Sequence, residues 1–214
     1  MGEICAVWAC ARAGNRPISR VMTELAHLPL DALALPDSAR PKMPPIPRAT
    51  EQHRRNGRQL AAIHRHYLME MSRVAAVLDR IAAGDAPPED LAAIILSTDM
   101  RRNLEAAGTI CGHQCQVLTI HHNIEEFSMF PELEQQGNDA LTALVAQLRK
   151  EHKVVHELLI RLEAAARTLI DAPTDANFET AHATFRQLRA VVISHFGYEE
   201  QEIAEAIGYY LNGI

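Results

Sequence analysis

Between positions 64 and 199 of this 214-residue chain, seven side chains of metal-binding type recur at regular spacing. His121 with Glu125, His152 with His156, and His195 with Glu199 form three i, i+4 pairs, and His64 stands alone upstream. On a helix this spacing sets both members of a pair on one face about 6 Å apart at Cβ, a separation that one metal ion or two adjacent ions can span. Each of these residues interrupts a stripe that is otherwise apolar. A buried ionisable group left bare costs several kcal/mol, so it is hydrogen-bonded, paired or metal-bound. A lone inward histidine such as His64 is most often a satisfied core residue. Three pairs and a single on four different stripes point together to metal binding.

Other residues carry weaker patterns. His122 and Glu126 repeat the i, i+4 pair one residue out of register and read as supporting or surface groups, while leaving a rotated register open for their helix. Cys111 and Cys115 share the same spacing; inert buried thiols are favoured over a redox role. Tyr67 follows His64 by almost one turn and reads as core packing beside the site. His66 and His113 fall off their stripes and are expected to face solvent, and His27, His53 and His182 carry no pattern.

The elements that must position these groups are helices. Leu60, His64, Tyr67, Met71, Val74, Leu78 and Ile81 recur at alternating steps of four and three, one face of a helix. Leu141, Val145, Leu148, His152, Val155 or His156, and Leu159 form a second such stripe. Phe185, Leu188, Val192, His195, Glu199 and Ile203 form another. The remaining block opens with Leu91, Ile94 and Ile95, breaks near Ser97 to Asn103, and continues as Ala107, Ile110, Gln114, Val117, His121 and Glu125. Pro131 should stop or kink it. Gly84 to Pro88, Gly137 to Asp139, and Asp171 to Asp175 punctuate the blocks. Four amphipathic helices with short connections predict an all-α, antiparallel up-down four-helix bundle over residues 51–214. Seven of the 11 prolines fall before residue 51, where no periodicity persists, so residues 1–50 read as an extended or disordered tail that buries little. Met22 reads as an alternative start.

Composition narrows the classes further. A formal net charge of −6 with scattered charge gives no footprint for nucleic acid. No apolar run approaches the roughly 18 residues of a membrane-spanning helix. Four cysteines in so long a chain make no disulfide framework, and the apolar stretch Ile4 to Ala11 lacks a basic flank, so a cytoplasmic protein is expected.

The stretch from His121 to Pro131 (HHNIEEFSMFP) resembles the second-helix motif of the hemerythrin and HHE cation-binding family. Glu151 to Glu157 resembles its third-helix HxxxH, and Ser194 to Glu200 its last-helix histidine and carboxylate motif. Met100 to Asn103 followed by Cys111 to Cys115 is similar to bacterial hemerythrin-domain proteins. The resemblance covers about residues 58–205. It implies two iron ions inside the bundle, joined by an oxo or hydroxo bridge and held by five histidines and two carboxylates. Carried over residue by residue, the ligands are His64, His121, Glu125, His152, His156, His195 and a last-helix glutamate. Family members place that carboxylate four or five residues after the histidine, and both Glu199 and Glu200 are present. Glu199 shares the face of His195, whereas Glu200 lies about 140° round the helix.

Two octahedral ions offer about twelve positions, of which such a donor set with one solvent bridge fills about eleven. The implied activity is binding of O2, peroxide or NO at the remaining place. A peroxide-decomposing or nitrosative-stress enzyme and an iron-responsive regulatory module would use the same residues.

Overall fold

The structure, a computed structural model, describes residues 24–35, 39–85 and 113–211. Among them all regular structure is helical: α1 (Glu51–Gly57), α2 (Gln59–Ala82), α3 (His113–Ile124), α4 (Phe130–Glu134), α5 (Asp139–Asp171), α6 (Asp175–Glu202) and α7 (Ala204–Tyr210). Leu91 to Ile95, the expected break, Cys111 and Met22 lie outside the described residues.

Helix boundaries follow from local chemistry. Thr50, Asn138 and Thr174 cap α1, α5 and α6 by accepting backbone N–H groups two or three residues on. Gly137 takes a positive φ of 67° in the turn before α5. Pro131 does not end the helix that carries His121. Instead Glu125–Met129 forms a π-helical turn, closed by the Phe130 N–H on Glu125 O, and the chain continues as α4 with the proline in its first turn. A proline there has no N–H to contribute, so the ladder is interrupted where a wider turn costs least.

Helices α2, α3, α5 and α6 pack in a ring, α2 on α3, α3 on α5, α5 on α6 and α6 on α2. The three-residue connection between α5 and α6 makes them a hairpin. Two apolar clusters fill the ring, one around Tyr67, Leu118, Val155 and Val192, the other around Leu60, Met129, Leu148 and Ile203. Along α2 and α5 the polar residue of the stripe falls between a member of one cluster and a member of the other, as His64 does between Leu60 and Tyr67 and His152 between Leu148 and Val155. Helices α1 and α7 close one end and meet backbone to backbone. A Cβ on Gly208 would lie 1.8 Å from His53 O, so only glycine permits that approach.

The tail expected over residues 1–50 is irregular where it is described, with a short 3-10 turn at Leu30–Ala32, and it is not detached. Leu33 is 1% exposed in the first cluster and Ile46 8% exposed in the second. Arg161 donates to Leu25 O and Leu28 O, and Gln187 to Leu33 O. Such a segment is held by bundle side chains reaching its backbone, which an apolar period cannot reveal.

Candidate metal centre

Seven buried side chains meet between the two apolar clusters: His64 from α2, His121 and His122 from α3, Glu125 from the π turn, His152 from α5, and His195 and Glu199 from α6. They form two groups, His64, His121, Glu125 and Glu199 in one and His122, His152 and His195 in the other. Within each group the potential ligand atoms lie within 4.8 Å of one another. The carboxylates join the groups. Glu125 places Oε1 3.0 Å from His121 Nε2 and Oε2 3.3 Å from His152 Nε2. One Glu199 oxygen lies 3.5 Å from His64 Nε2 and 3.7 Å from His195 Nε2.

These atoms approach one another without forming aligned hydrogen bonds. Nε2 of His122, His152 and His195 and all four oxygens of Glu125 and Glu199 are buried with no hydrogen-bond partner. Buried polar atoms are nearly always satisfied, so seven unpartnered ones facing a common centre form a set of donors that could hold a cation. His64 Nε2 and His121 Nε2 face each other at 3.0 Å in the same space.

The opposite ring nitrogens are tied down. His64 Nδ1 lies 3.0 Å from Glu200 Oε1, His152 Nδ1 2.8 Å from Glu126 Oε1, and His195 Nδ1 3.0 Å from Glu151 Oε2. With its Nδ1–H donated to a carboxylate, each of these rings keeps the Nε2 lone pair for the centre. Arginines stand behind two of the carboxylates: Arg149 Nε donates to Glu126 Oε2 at 3.0 Å, and Arg40 to both oxygens of Glu151 at 2.8 and 3.2 Å. Ring packing fixes the remaining freedom. His64 stacks on Phe196 at a centroid distance of 3.7 Å, and His122 on His152 at 4.1 Å.

The family model of the hemerythrin HHE cation binding domain matches residues 45–207. The chain belongs to this family. No curated protein matches the chain, and no solved structure does. The matched span holds all seven buried residues of the hemerythrin site and leaves residues 24–44 outside it. No helix among the described residues is long and apolar enough to cross a membrane.

Six of the seven residues singled out from sequence meet in this hemerythrin centre: His64, His121, Glu125, His152, His195 and Glu199. His156 belongs to neither group. It is half-buried, about 40° further round α5 than His152 and at the margin of that helix's buried arc. His122 stands with His152 and His195 instead. Both registers considered for α3 are therefore used in part: adjacent His121 and His122 diverge by about 100°, one toward α2 and the other toward α5. Glu125 turns inward and Glu126 outward onto His152. Glu199 faces the centre, and Glu200 sits behind His64. Glu151 and Glu200 as imidazole partners carried no sequence signal, because the pairing crosses between helices, whereas Glu126 stands behind His152 as the supporting group that its spacing offers.

Charge at the centre is poorly balanced without a cation. Burial, with neighbouring imidazoles, pushes His64 down to about 2 and His122 well below the ordinary value. His121 and His195 are also lowered by burial. His152 moves the other way: burial opposes its charge, but the adjacent carboxylates of Glu125 and Glu126 raise it. Burial, followed by the Glu125 charge, drives Glu199 well above the carboxylate range. Glu199 keeps its proton for want of a positive charge beside it, and a divalent ion would supply one.

Proposed function

We propose that this hemerythrin domain holds two iron ions side by side and through them binds a small ligand, O2, peroxide or NO. The observation that carries this reading is the doubled donor set, two imidazole groups joined by Glu125 and Glu199 with buried donor atoms facing inward. A structural zinc closes with about four ligands, which would leave three of seven residues without a role. His64 and His121 would hold one ion, His122, His152 and His195 the other, with both carboxylates between. Imidazole and carboxylate suit iron, which supplies redox-active sites for small ligands.

The chain's own residues set the terms of that binding. The group with two imidazoles is one nitrogen short of its neighbour, and a ligand enters there. Its wall is aromatic, with the Tyr67 and Phe196 rings 5.5 and 6.0 Å from that of His121. Apolar clusters above and below exclude water. Groups able to deliver protons are engaged elsewhere: Glu126 is bound to His152 and Arg149, and His122 sits in the donor set. Burial and the charge of Glu125 raise Tyr67, so its phenol gives up a proton reluctantly. That arrangement favours reversible binding over peroxide decomposition. A cytoplasmic setting belongs to the same reading, supported by the cysteine usage.

Anaerobic loading with ferrous iron should give about two ions per chain, and mixing with O2 should give an optical band that reverses when the gas is removed. One ion per chain would overturn the paired centre. Rapid autoxidation without a reversible band, with repeated peroxide loss that falls in Tyr67→Phe, would replace the binding reading by the enzymatic one.

A further inference from the structure

Of the three carboxylates that hold imidazoles from behind, one takes its cation from outside the family-matched span. Glu126 is held by Arg149 of α5, and Glu200 feels the nearby charge of Arg65 of α2. Glu151 is gripped by Arg40, which precedes residue 45 and lies in the extended N-terminal segment. We propose that Arg40 is a positioning residue of the metal centre, acting on His195 through Glu151, so that the N-terminal segment sets how tightly the three-histidine group holds its ion. This inference rests on the paired-centre reading above.

The geometry is that of a clamp. Arg40 Nε donates to Glu151 Oε1 at 2.8 Å and Nη2 to Oε2 at 3.2 Å, the two-pronged fit of a guanidinium on a carboxylate. The side chains are 9% and 1% exposed, so the pair is shielded from solvent. Oε2 also takes the His195 Nδ1–H at 3.0 Å, and Oε1 takes Gln147 Nε2 at 2.9 Å. With both oxygens committed, the carboxylate plane cannot turn, and neither can the ring that it holds. Arg40 is itself fixed, its guanidinium 4.7 Å over the Tyr198 ring and its Nη1 3.4 Å from Ser194 O, the residue before His195.

The segment is anchored immediately after the clamp. The Tyr198 hydroxyl donates to Pro41 O at 2.7 Å, Met43 N–H to Glu202 at 2.8 Å, and Ile46 N–H to Glu205 at 2.7 Å. All three partners lie on α6 or α7, so the segment is registered against the helix that carries His195 and Glu199. Without the guanidinium, Glu151 is a buried charge held by Gln147 and one imidazole, free to swing and release His195 Nδ1. The donor Nε2 then loses its fixed direction.

The test titrates the full-length chain anaerobically with Fe2+ against a competing chelator, in the wild type, Arg40→Gln, Arg40→Lys, Glu151→Gln and the Arg40→Gln, Glu151→Gln double variant. The wild type should bind two ions. In Arg40→Gln one ion should be held about 10–100-fold more weakly, the size of effect seen when an imidazole loses its supporting partner, and the other should be unchanged. Arg40→Lys should recover part of the loss, and the double variant should be no weaker than Glu151→Gln alone, because both act along one route. Nitrogen NMR of the histidine rings in the metal-free protein gives a readout that does not need iron: Arg40→Gln should move His195 and leave His64. Should Arg40→Gln lose helix content, Arg40→Lys carries the same measurements. Two ions held as tightly as in the wild type, equal weakening of both, or additive losses in the double variant would overturn the role of Arg40 while leaving the centre intact. A wild type that binds fewer than two ions would overturn the paired centre and this inference with it.

Discussion

Replacing His122 and His156 one at a time separates the spacing of ligand-type residues from their placement. His122 Nε2 is buried without a partner and lies in the group with His152 and His195, whereas His156 is half-buried and belongs to neither group. Structural metal sites with four ligands bind with an apparent 10–16 kcal/mol, or about 3 kcal/mol for each ligand, so losing one imidazole should weaken one ion by about 10²-fold. His122→Ala should therefore retain about one iron per chain after a chelator challenge that leaves the wild type with two. His156→Ala should retain both. Stability of the metal-free protein is a useful control: His122→Ala removes an unsatisfied buried nitrogen as well as ring packing on His152, and these oppose each other. Metal analysis after anaerobic loading is the assay. If His156→Ala lost an ion and His122→Ala kept two, the donor set would follow the i, i+4 pair of α5, and the placement of His122 would be wrong.

Metal uptake should release one or two protons per centre near neutral pH, since Glu199 and His152 are both raised and hold protons that a cation must displace. Apparent affinity then rises with pH, and calorimetry in two buffers of different ionisation heat would refute this by finding no release. The metal-free protein should in addition lose stability as pH falls below 6.5, because the buried His64, His121, His122 and His195 are lowered and the unfolded chain takes up their protons first. Deleting residues 1–50 removes Leu33 and Ile46 from the two clusters, about 3–6 kcal/mol at 1.5–3 kcal/mol for each side chain, and should lower the melting temperature by at least about 6 °C; an unchanged midpoint would show that the segment does not pack. Gly208→Ala brings a methyl group against His53 O and should detach α1 from α7, visible as faster amide exchange in both, with exchange as in the wild type counting against the close approach.

Much of the bundle is legible because its signals act over a few residues. The stripes of α2, α5 and α6 are periods of three and four that bury most of the residues named from sequence, and Gly137, Asn138 and Thr174 end or begin helices by contacts no more than three residues away. The N-terminal segment is different in kind. Arg40 meets Glu151 across 111 positions, and Ile46 meets Glu205 across 159. An extended strap earns its place through single long-range contacts, and proline-rich composition says only that it is not a helix. The meeting of α1 and α7 is equally hidden, since a glycine in a short helix reads as a weakness until the crossing backbone is known.

At the centre, the i, i+4 rule identifies pairs that share a face and assumes that each helix looks at one partner. In this ring every helix faces two neighbours, so the residues that reach two adjacent groups need not share a face. On α3 this is met by neighbours in sequence: His121 leans toward His64 of α2, and His122 stacks on His152 of α5. The apparent pair His122 and Glu126 divides, although His121 and Glu125 at the same step stay together. The histidine joins His152 and His195, and the carboxylate passes to His152 Nδ1, the outer nitrogen of the next helix's ring. On α5 His156, four residues after His152, is half-buried and lies in neither group. Behind the rings stands Glu151, which adjoins His152 in sequence yet serves His195 across the hairpin. A paired site thus uses residues side by side in the chain, one facing in and the other supporting a neighbour: Glu125 and Glu126, Glu151 and His152, Glu199 and Glu200. Adjacency of two ligand-type residues on an apolar stripe is therefore the better sequence sign of a centre with two groups and an outer layer, where i, i+4 spacing alone describes a site with one.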